Sequence, residues 1–193
     1  MGASRRETEI KLRFPTAEAA LDCLGKAGAR ALGPREREDN VLYDLASHPL
    51  QREGSALRLR RVGGRAMLTL KTSVAGMTAH KVRLERETIV GDPDALHEIL
   101  GYLGFFPVYR YEKYRTSFAL DDVVACLDET PLGCFVELEG EPDSIDRVAT
   151  RIGFFPRDYI RASYRELHRN AVAAGSARPG DLLLQDEGAG SRP

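Results

Sequence analysis

The sequence lacks the features that would assign it to a membrane, secreted or nucleic-acid-binding class. No apolar run approaches the roughly 20 residues of a membrane span, and the N-terminus has no apolar signal-peptide core. The 28 Lys and Arg residues are balanced by 29 Asp and Glu residues, which leaves a net charge of −1. This balance argues against the broad cationic surface that non-specific nucleic-acid binding requires. We therefore expect a soluble, cytoplasmic protein that binds neither membranes nor nucleic acid.

Cysteine is also scarce. The three cysteines, Cys23, Cys126 and Cys134, are odd in number and form no CxxC motif. Neither a disulfide framework nor a zinc knuckle is therefore expected, and a reducing cytoplasm fits best.

The length of 193 residues is typical of one domain with a substantial core. We assign residues 1–174 to this domain. Residues 175–193 are small, polar and rich in Gly and Pro, a composition typical of a disordered tail. We expect the protein to be a monomer or a homodimer.

Charged residues alternate with other residues along the first predicted strand, ETEIKLRF. Side chains in a strand alternate between its two faces, so Glu7, Glu9 and Lys11 share one face. A single strand of this kind is typical of a solvated sheet surface. The same pattern recurs on at least five later segments, however, which is much harder to obtain by chance.

Strand patterns dominate the rest of the chain, and helices interrupt them. Helical spacing follows Thr16, Asp92 and Pro142, and a last helix is predicted in SYRELHRNAVAAG. Gly63-Gly64 predicts a two-residue hairpin, whereas SHPLQREGS and TSVAGMTAH are predicted loops. Roughly eight antiparallel strands with helices outside predict an α+β fold, and the hairpin order favours a closed barrel over an open sheet.

The two faces of these strands predict an unusual barrel interior. Small barrels normally fill their interior with apolar side chains. Here the helices must cover the apolar face of each strand, which leaves the charged face pointing inward. The sequence therefore predicts a charge-lined, water-filled tunnel.

Acids and bases share this charged face, a combination that suits a metal and a polyphosphate. Carboxylates two residues apart on a strand are suited to holding a divalent ion, while Arg and Lys bind phosphate oxygens. The acids are Glu7, Glu9, Glu85, Glu87, Glu137 and Glu139, with Asp128 near them, and the bases are Lys11, Arg58, Arg60, Lys71, Lys81, Arg83, Lys113 and Arg115.

The motifs resemble the CYTH superfamily, the triphosphate tunnel metalloenzymes. ETEIK matches the ExExK signature of that family, and the resemblance continues through GSALRLR, TLK, VRLERE, LGFFPVYRYEKYR, CLDETPLGCFVELEGE and RASYREL. It covers about residues 7–168 in the family's order. The resemblance implies an eight-stranded antiparallel tunnel and a small-molecule triphosphate such as ATP, tripolyphosphate or thiamine triphosphate.

The resemblance also implies roles for individual residues. It implies that Mg²⁺ or Mn²⁺ is held by Glu7, Glu9, Glu137 and Glu139, with Asp128 assisting. It implies triphosphate contacts from Lys11, Arg58, Arg60, Lys71, Lys113 and Arg115, while Arg83, Glu85 and Glu87 fit the tunnel lining.

Three functions remain open at this stage. The motifs are most similar to the class IV adenylate cyclase branch, which converts ATP to cyclic AMP and pyrophosphate, and this reaction stands slightly ahead. The second function is hydrolysis of tripolyphosphate, thiamine triphosphate or a nucleoside triphosphate. The third is a non-catalytic polyphosphate- or nucleotide-binding module, which would not need so many carboxylates.

Two departures from the family bear on the reaction. Several triphosphatases of the family have a tyrosine where this chain has Leu42, and Tyr43 is adjacent. Arg161 stands near a position where some members carry a lysine. No general base and no adenine-stacking aromatic pair can be assigned from the sequence.

Overall fold

The computed structural model describes residues 5–74 and 79–185. The helices in this part of the chain are α1 (Ala17–Lys26), α2 (Pro49–Arg52), α3 (Pro93–Tyr102), α4 (Pro142–Arg151) and α5 (Tyr164–Ala173). The strands are β1 (Arg5–Phe14), β2 (Arg30–Ala31), β3 (Glu36–Asp44), β4 (Ala56–Val62), β5 (Arg65–Ser73), β6 (Lys81–Val90), β7 (Phe106–Leu120), β8 (Val123–Thr130) and β9 (Gly133–Glu139).

Eight of these strands form a closed antiparallel barrel. Their order is β7-β3-β4-β5-β6-β1-β9-β8, and pairing of β8 with β7 closes the ring. The short strand β2 lies outside the ring and pairs with β7. The predicted α+β fold with an eight-stranded closed barrel is therefore confirmed.

Helices cover the apolar outer face of the barrel, as predicted. Ile10 and Leu12 of β1 are fully buried in a cluster that includes Leu24 of α1 and Val148 of α4. A second cluster packs Leu100 of α3 against residues of β3, β4 and β5. Each fully buried aliphatic side chain contributes about 1.5–3 kcal/mol to folding. The outer surface of the barrel therefore supplies most of the core.

Local sequence signals position the helices and the sharpest hairpin. The side chains of Thr16, Asp92 and Ser163 accept hydrogen bonds from backbone N–H groups in the first turns of α1, α3 and α5. Gly63 and Gly64 connect β4 to β5 with φ angles of 54° and 75°, which other residues rarely adopt. Contrary to expectation, part of the predicted loop SHPLQREGS forms α2. In the predicted loop TSVAGMTAH, residues 75–78 lie outside the described residues.

The expected tail is corrected as far as residue 185. Leu182 is only 4% exposed and packs with Tyr109 and Tyr111. Its N–H donates to the carbonyl of Arg110 across 2.9 Å, and its carbonyl accepts from the N–H of Glu112 across 2.9 Å. Backbone pairing and one buried leucine therefore hold a segment whose composition alone predicted disorder. Residues 186–193 lie outside the described residues.

Among the described helices, none combines the length and the apolar character needed to cross a bilayer.

Candidate active site in the barrel interior

The inward faces of the barrel strands surround a cavity of about 440 Å³. Strands β1, β3–β7 and β9 line it, and the start of α5 and the segment between α2 and β4 complete the lining. Strand alternation explains its composition, because the apolar residues between the charged positions point outward to the helices. Of the predicted site residues, Lys11, Arg58, Arg60, Lys71, Arg83, Lys113, Arg115, Glu7, Glu9, Glu85, Glu87, Glu137 and Glu139 line the cavity.

Three of the lining carboxylates form a compact cluster. One oxygen from each of Glu7, Glu9 and Glu139 lies within 4.8 Å of the others. The barrel register creates this approach, because Glu9 of β1 stands directly opposite Glu139 of β9. Carboxylate oxygens at this spacing are the ligands that hard divalent cations prefer.

Two carboxyl groups of the cluster are disfavoured in their charged form. Burial, a hydrogen bond with Glu85 and the nearby carboxylates of Glu9 and Glu139 raise the pKa of Glu7 to about 8, although Lys71 opposes the shift. Burial also raises the pKa of Glu139. Two carboxyl groups are thus destabilised in their charged form, a condition that a bound divalent cation would relieve. The residues present therefore fit a divalent metal.

Glu137, predicted as a metal ligand, forms ion pairs with bases of the cavity. Lys11 Nζ lies 3.0 Å from its Oε1, and Arg115 donates to its Oε2. Burial alone would raise the pKa of Glu137, but Lys11, Arg115 and Lys113 hold it well below its usual range. Glu137 therefore orders the bases of the cavity and does not belong to the three-carboxylate cluster.

Asp128 lies behind the cavity wall rather than in its lining. It is 0% exposed, and it accepts hydrogen bonds from Lys113 at 2.7 Å and from Arg115 at 2.6 Å. The hydroxyl of Tyr164 donates a further hydrogen bond to it across 2.7 Å. Asp128 therefore positions Lys113 and Arg115, and the prediction that it assists metal binding stays a prediction.

Other bases are less fully neutralised. The Nε atoms of Arg58 and Arg60 are buried and have no hydrogen-bond partner among the described residues. Arg60 lies 3.4 Å from Glu38 and 3.6 Å from Glu87, whereas no carboxylate among the described residues forms an ion pair with Arg58. A buried guanidinium with an unused donor is prepared to bind an anion.

Glu38 and Tyr164 are among the site residues that the sequence did not predict. Glu38 of β3 is buried and contacts Arg60 and Lys113. It lies in the run EREDN, where charges occupy both strand faces and hide the inward one. Tyr164 begins α5 and packs against Phe135 of β9, so its place depends on tertiary packing. In the sequence, only the SYREL motif indicated that this region belongs to the site.

The displaced tyrosine of the second motif faces away from the cavity. Leu42 contributes to the lining, whereas the hydroxyl of Tyr43 lies 2.7 Å from Nδ1 of His97 on α3. No tyrosine hydroxyl therefore reaches the cavity from position 42 or 43.

A closed eight-stranded barrel with acids and bases inside defines a class of tunnel-shaped proteins. The sequence matches the CYTH domain family over residues 5–153, so the chain belongs to this family.

Individual relatives agree with this assignment. The chain is 26% identical over 172 residues to "Putative adenylate cyclase MJ0240" of Methanocaldococcus jannaschii, covering 83% of this chain and 97% of the relative. The PH1012 protein of Pyrococcus horikoshii superposes with a TM-score of 0.71 at 27% identity, covering 83% of this chain and 98% of that one. The structure of a "putative adenylate cyclase" from Vibrio parahaemolyticus gives a TM-score of 0.72 at 20% identity, covering 86% and 98% of the two chains.

Proposed function

We propose that this protein is a divalent-cation-dependent enzyme that acts on the triphosphate group of a small molecule inside the barrel. The observation that carries the proposal is the cluster of Glu7, Glu9 and Glu139 in the same cavity as Arg58, Lys71 and Lys113. Bases alone would bind any polyanion. A carboxylate cluster beside them makes binding depend on a metal that bridges acids and phosphates.

The bases position the triphosphate and offset its charge. A triphosphate carries about four negative charges near neutral pH, and guanidinium groups bind phosphate oxygens bidentately. Arg58 offers an unused buried donor, while Lys113 and Arg115 are oriented by Asp128. These contacts hold the phosphate chain in a fixed path along the tunnel.

Glu7, Glu9 and Glu139 would hold the metal, Mg²⁺ or Mn²⁺. When bound, the metal would neutralise the negative charge that develops on the phosphate oxygens. Glu7 must lose its proton for this, and Lys71 Nζ, 2.9 Å from its Oε2, favours that loss. Removal of water from the phosphates by the narrow cavity strengthens each of these interactions.

Of the two candidate reactions, the cavity favours hydrolysis of the triphosphate. Among the described lining residues the aromatic side chains are Tyr111 and Tyr164, and both are buried in a cluster with Phe135. Both are largely buried, which leaves little aromatic surface on which a nucleobase could stack. Recognition therefore centres on phosphates, as suits tripolyphosphate or the terminal phosphates of a larger substrate.

Cyclisation of ATP to cyclic AMP and pyrophosphate is the second candidate. It was slightly favoured by the sequence motifs, and the printed name of the Methanocaldococcus relative supports it. The position of Leu42 also supports it, because a hydrolase would gain from a hydroxyl there to orient water. The same metal cluster serves either reaction.

Product analysis tests these proposals directly. The protein is incubated with ATP, tripolyphosphate or thiamine triphosphate in Mg²⁺ and in Mn²⁺. Pyrophosphate with phosphate from tripolyphosphate supports hydrolysis, whereas cyclic AMP from ATP supports cyclisation. Binding without any product would favour the non-catalytic module, and absence of both binding and turnover would overturn the proposal. The Glu98→Gln variant, on the exposed face of α3, is the control for Glu139→Gln.

A further inference from the structure

Beyond the bases of the barrel, the cavity has an arginine rim formed by Arg83, Arg165 and Arg169. Arg165 and Arg169 lie one helical turn apart on α5, and both line the cavity. Arg83 of β6 lines it as well, and its Nη1 donates to the carbonyl of Gly54 across 2.9 Å. All three arginines therefore face the same cavity, one from β6 and two from α5.

The arginine rim differs from most other cations of the cavity because, like Arg58, its members form no ion pair with a described carboxylate. Lys11, Lys71, Lys113 and Arg115 each contact carboxylates. Within the described residues, no carboxylate forms an ion pair with Arg83, Arg165 or Arg169.

Repulsion within the arginine rim is offset only in part by nearby acids. Arg165 lies over the ring of Tyr109, with its Cζ atom 5.8 Å from the ring centroid. Burial lowers the pKa of Arg165; Asp44 and Tyr109 oppose this shift, and the adjacent Arg169 adds to it. Like charges four residues apart on a helix repel each other. A cation pair that no described carboxylate contacts directly is suited to an anionic ligand.

Two acids that interact electrostatically with the arginine rim, Asp44 and Glu166, are already engaged by local hydrogen bonds. Asp44 accepts hydrogen bonds from the N–H groups of Leu45, Leu50 and Gln51. Oε2 of Glu166 accepts from both the N–H and the hydroxyl of Ser163, each across 2.7 Å. Asp44 and Glu166 reduce the local positive charge, but their hydrogen bonds hold them in the α2 turn and the α5 cap.

We propose that the arginine rim binds a fourth phosphate group, so that the preferred ligand carries a phosphate chain longer than three. This inference rests on the proposed function, in which the barrel bases hold the first three phosphates. The planar guanidinium groups of Arg165 and Arg169 present paired donors that match phosphate oxygens. A fourth phosphate can belong to a linear inorganic polyphosphate or to a nucleoside tetraphosphate, and both have the same terminal chemistry.

Calorimetry with matched ligand pairs tests the inference. Inorganic tripolyphosphate is compared with inorganic tetraphosphate, and ATP with adenosine 5′-tetraphosphate, at a constant excess of free Mg²⁺ and with products assayed in the same samples. We expect each tetraphosphate to bind at least about fivefold more tightly than its triphosphate, because charge-assisted hydrogen bonds are added. A gain for the inorganic pair alone identifies polyphosphate as the source, and a gain for the adenosine pair alone identifies the nucleotide.

The Arg165→Gln/Arg169→Gln double variant should bring the affinity ratio close to one. Both ligands are measured on the same protein, so partial unfolding does not change the ratio. The Arg86→Gln/Arg157→Gln variant removes the same charge outside the cavity and should keep the wild-type ratio. A wild-type ratio near one, or a raised ratio that survives in the double variant, overturns the inference. Failure of triphosphates and tetraphosphates alike to bind would instead overturn the proposed function.

Discussion

The hydroxyl of Tyr164 donates a hydrogen bond to Oδ2 of Asp128 across 2.7 Å, and both residues are buried. This bond joins the start of α5 to the strand that orients Lys113 and Arg115. We expect Tyr164→Phe to lower the free energy of unfolding by about 1.5–3 kcal/mol, because it removes a buried hydrogen bond to a charged acceptor. Denaturant unfolding at pH 7 measures this loss.

Tyr109→Phe is the matched control for that variant. The hydroxyl of Tyr109 lies 3.0 Å from Nδ1 of His168, in the same aromatic cluster. Its partner is an imidazole rather than a carboxylate, so we expect a loss of about 0.5–1.5 kcal/mol. Equal losses in the two variants would contradict a special contribution from the charge of Asp128.

Arg58→Ala should weaken triphosphate binding more than monophosphate binding. Its buried Nε has no partner among the described residues, so loss of the guanidinium removes a charge-assisted contact worth about 1.5–3 kcal/mol, or about 10- to 150-fold in affinity. Arg58→Lys should recover little of this where the contact is bidentate. Calorimetry with both ligands checks the difference.

Arg61→Ala provides the control on the same strand, because Arg61 points outward and pairs with Asp94 of α3. It should leave both affinities unchanged. Equal weakening of triphosphate and monophosphate by Arg58→Ala would mean that Arg58 contributes only a general positive field.

Turnover should require a divalent cation and an intact carboxylate cluster. Addition of EDTA should abolish product formation, and Glu139→Gln should lower kcat at least about a hundredfold, because metal-mediated neutralisation of the phosphates is lost. Glu9→Gln should act in the same direction. Full activity in EDTA, or a near-wild-type rate in Glu139→Gln, would rule out the metal cluster as the centre of reaction.

Glu38→Gln should lower the free energy of unfolding by an amount that depends on pH, because the variant loses the ion pairs of Glu38. Burial alone would raise the pKa of Glu38, but Lys113, Arg115 and Arg60 lower it to about 2. A depressed pKa stabilises the fold fully above the ordinary value of 4.5, and this contribution disappears as the pH falls towards 2. We expect Glu38→Gln to cost about 2–3 kcal/mol at pH 7.

The difference between wild type and Glu38→Gln should therefore shrink between pH 4.5 and pH 2, as measured by urea unfolding. Glu53→Gln, an exposed change, should show no such difference at any pH. A constant difference down to pH 2 would indicate lost packing instead of lost ion pairs.

Leu182→Ala should destabilise the protein by about 2–5 kcal/mol, because it leaves a cavity among Tyr109, Tyr111 and Tyr164. Leu183→Ala is the neighbouring control, since Leu183 is 42% exposed and should have little effect. Thermal unfolding of the two variants measures the contrast. Similar melting temperatures would show that the segment after α5 contributes no stability.

The barrel was predictable because its signals are local. The alternating charges of ETEIKLRF predicted which face of β1 points inward. Thr16 and Asp92 predicted helix starts, and Gly63-Gly64 predicted a hairpin, without any knowledge of tertiary contacts. Together with the hairpin order, these signals were enough to predict an eight-stranded barrel. They also predicted most of the charged residues that line its cavity.

The details of the site depend on contacts that the sequence does not encode locally. The strand register decides which carboxylates lie beside Glu9, because it places Glu139 directly opposite it. The same register pairs Asp128 with Arg115 on the neighbouring strand. Glu38 was hidden by charges on both faces of its strand. Leu182 lies in a segment of disordered composition, and only its backbone pairing with β7 reveals its place.

The position of β1 between β6 and β9 has a consequence for the order of folding. Glu9 is paired in register with Lys81 on one side and with Glu139 on the other. A chain that emerges from the ribosome N-terminus first cannot close the barrel until β9 has been synthesised. Such distant pairing slows folding and leaves the side of β1 that pairs with β9 without a partner during most of synthesis. The earliest-made part of the carboxylate cluster is thus among the last to be assembled.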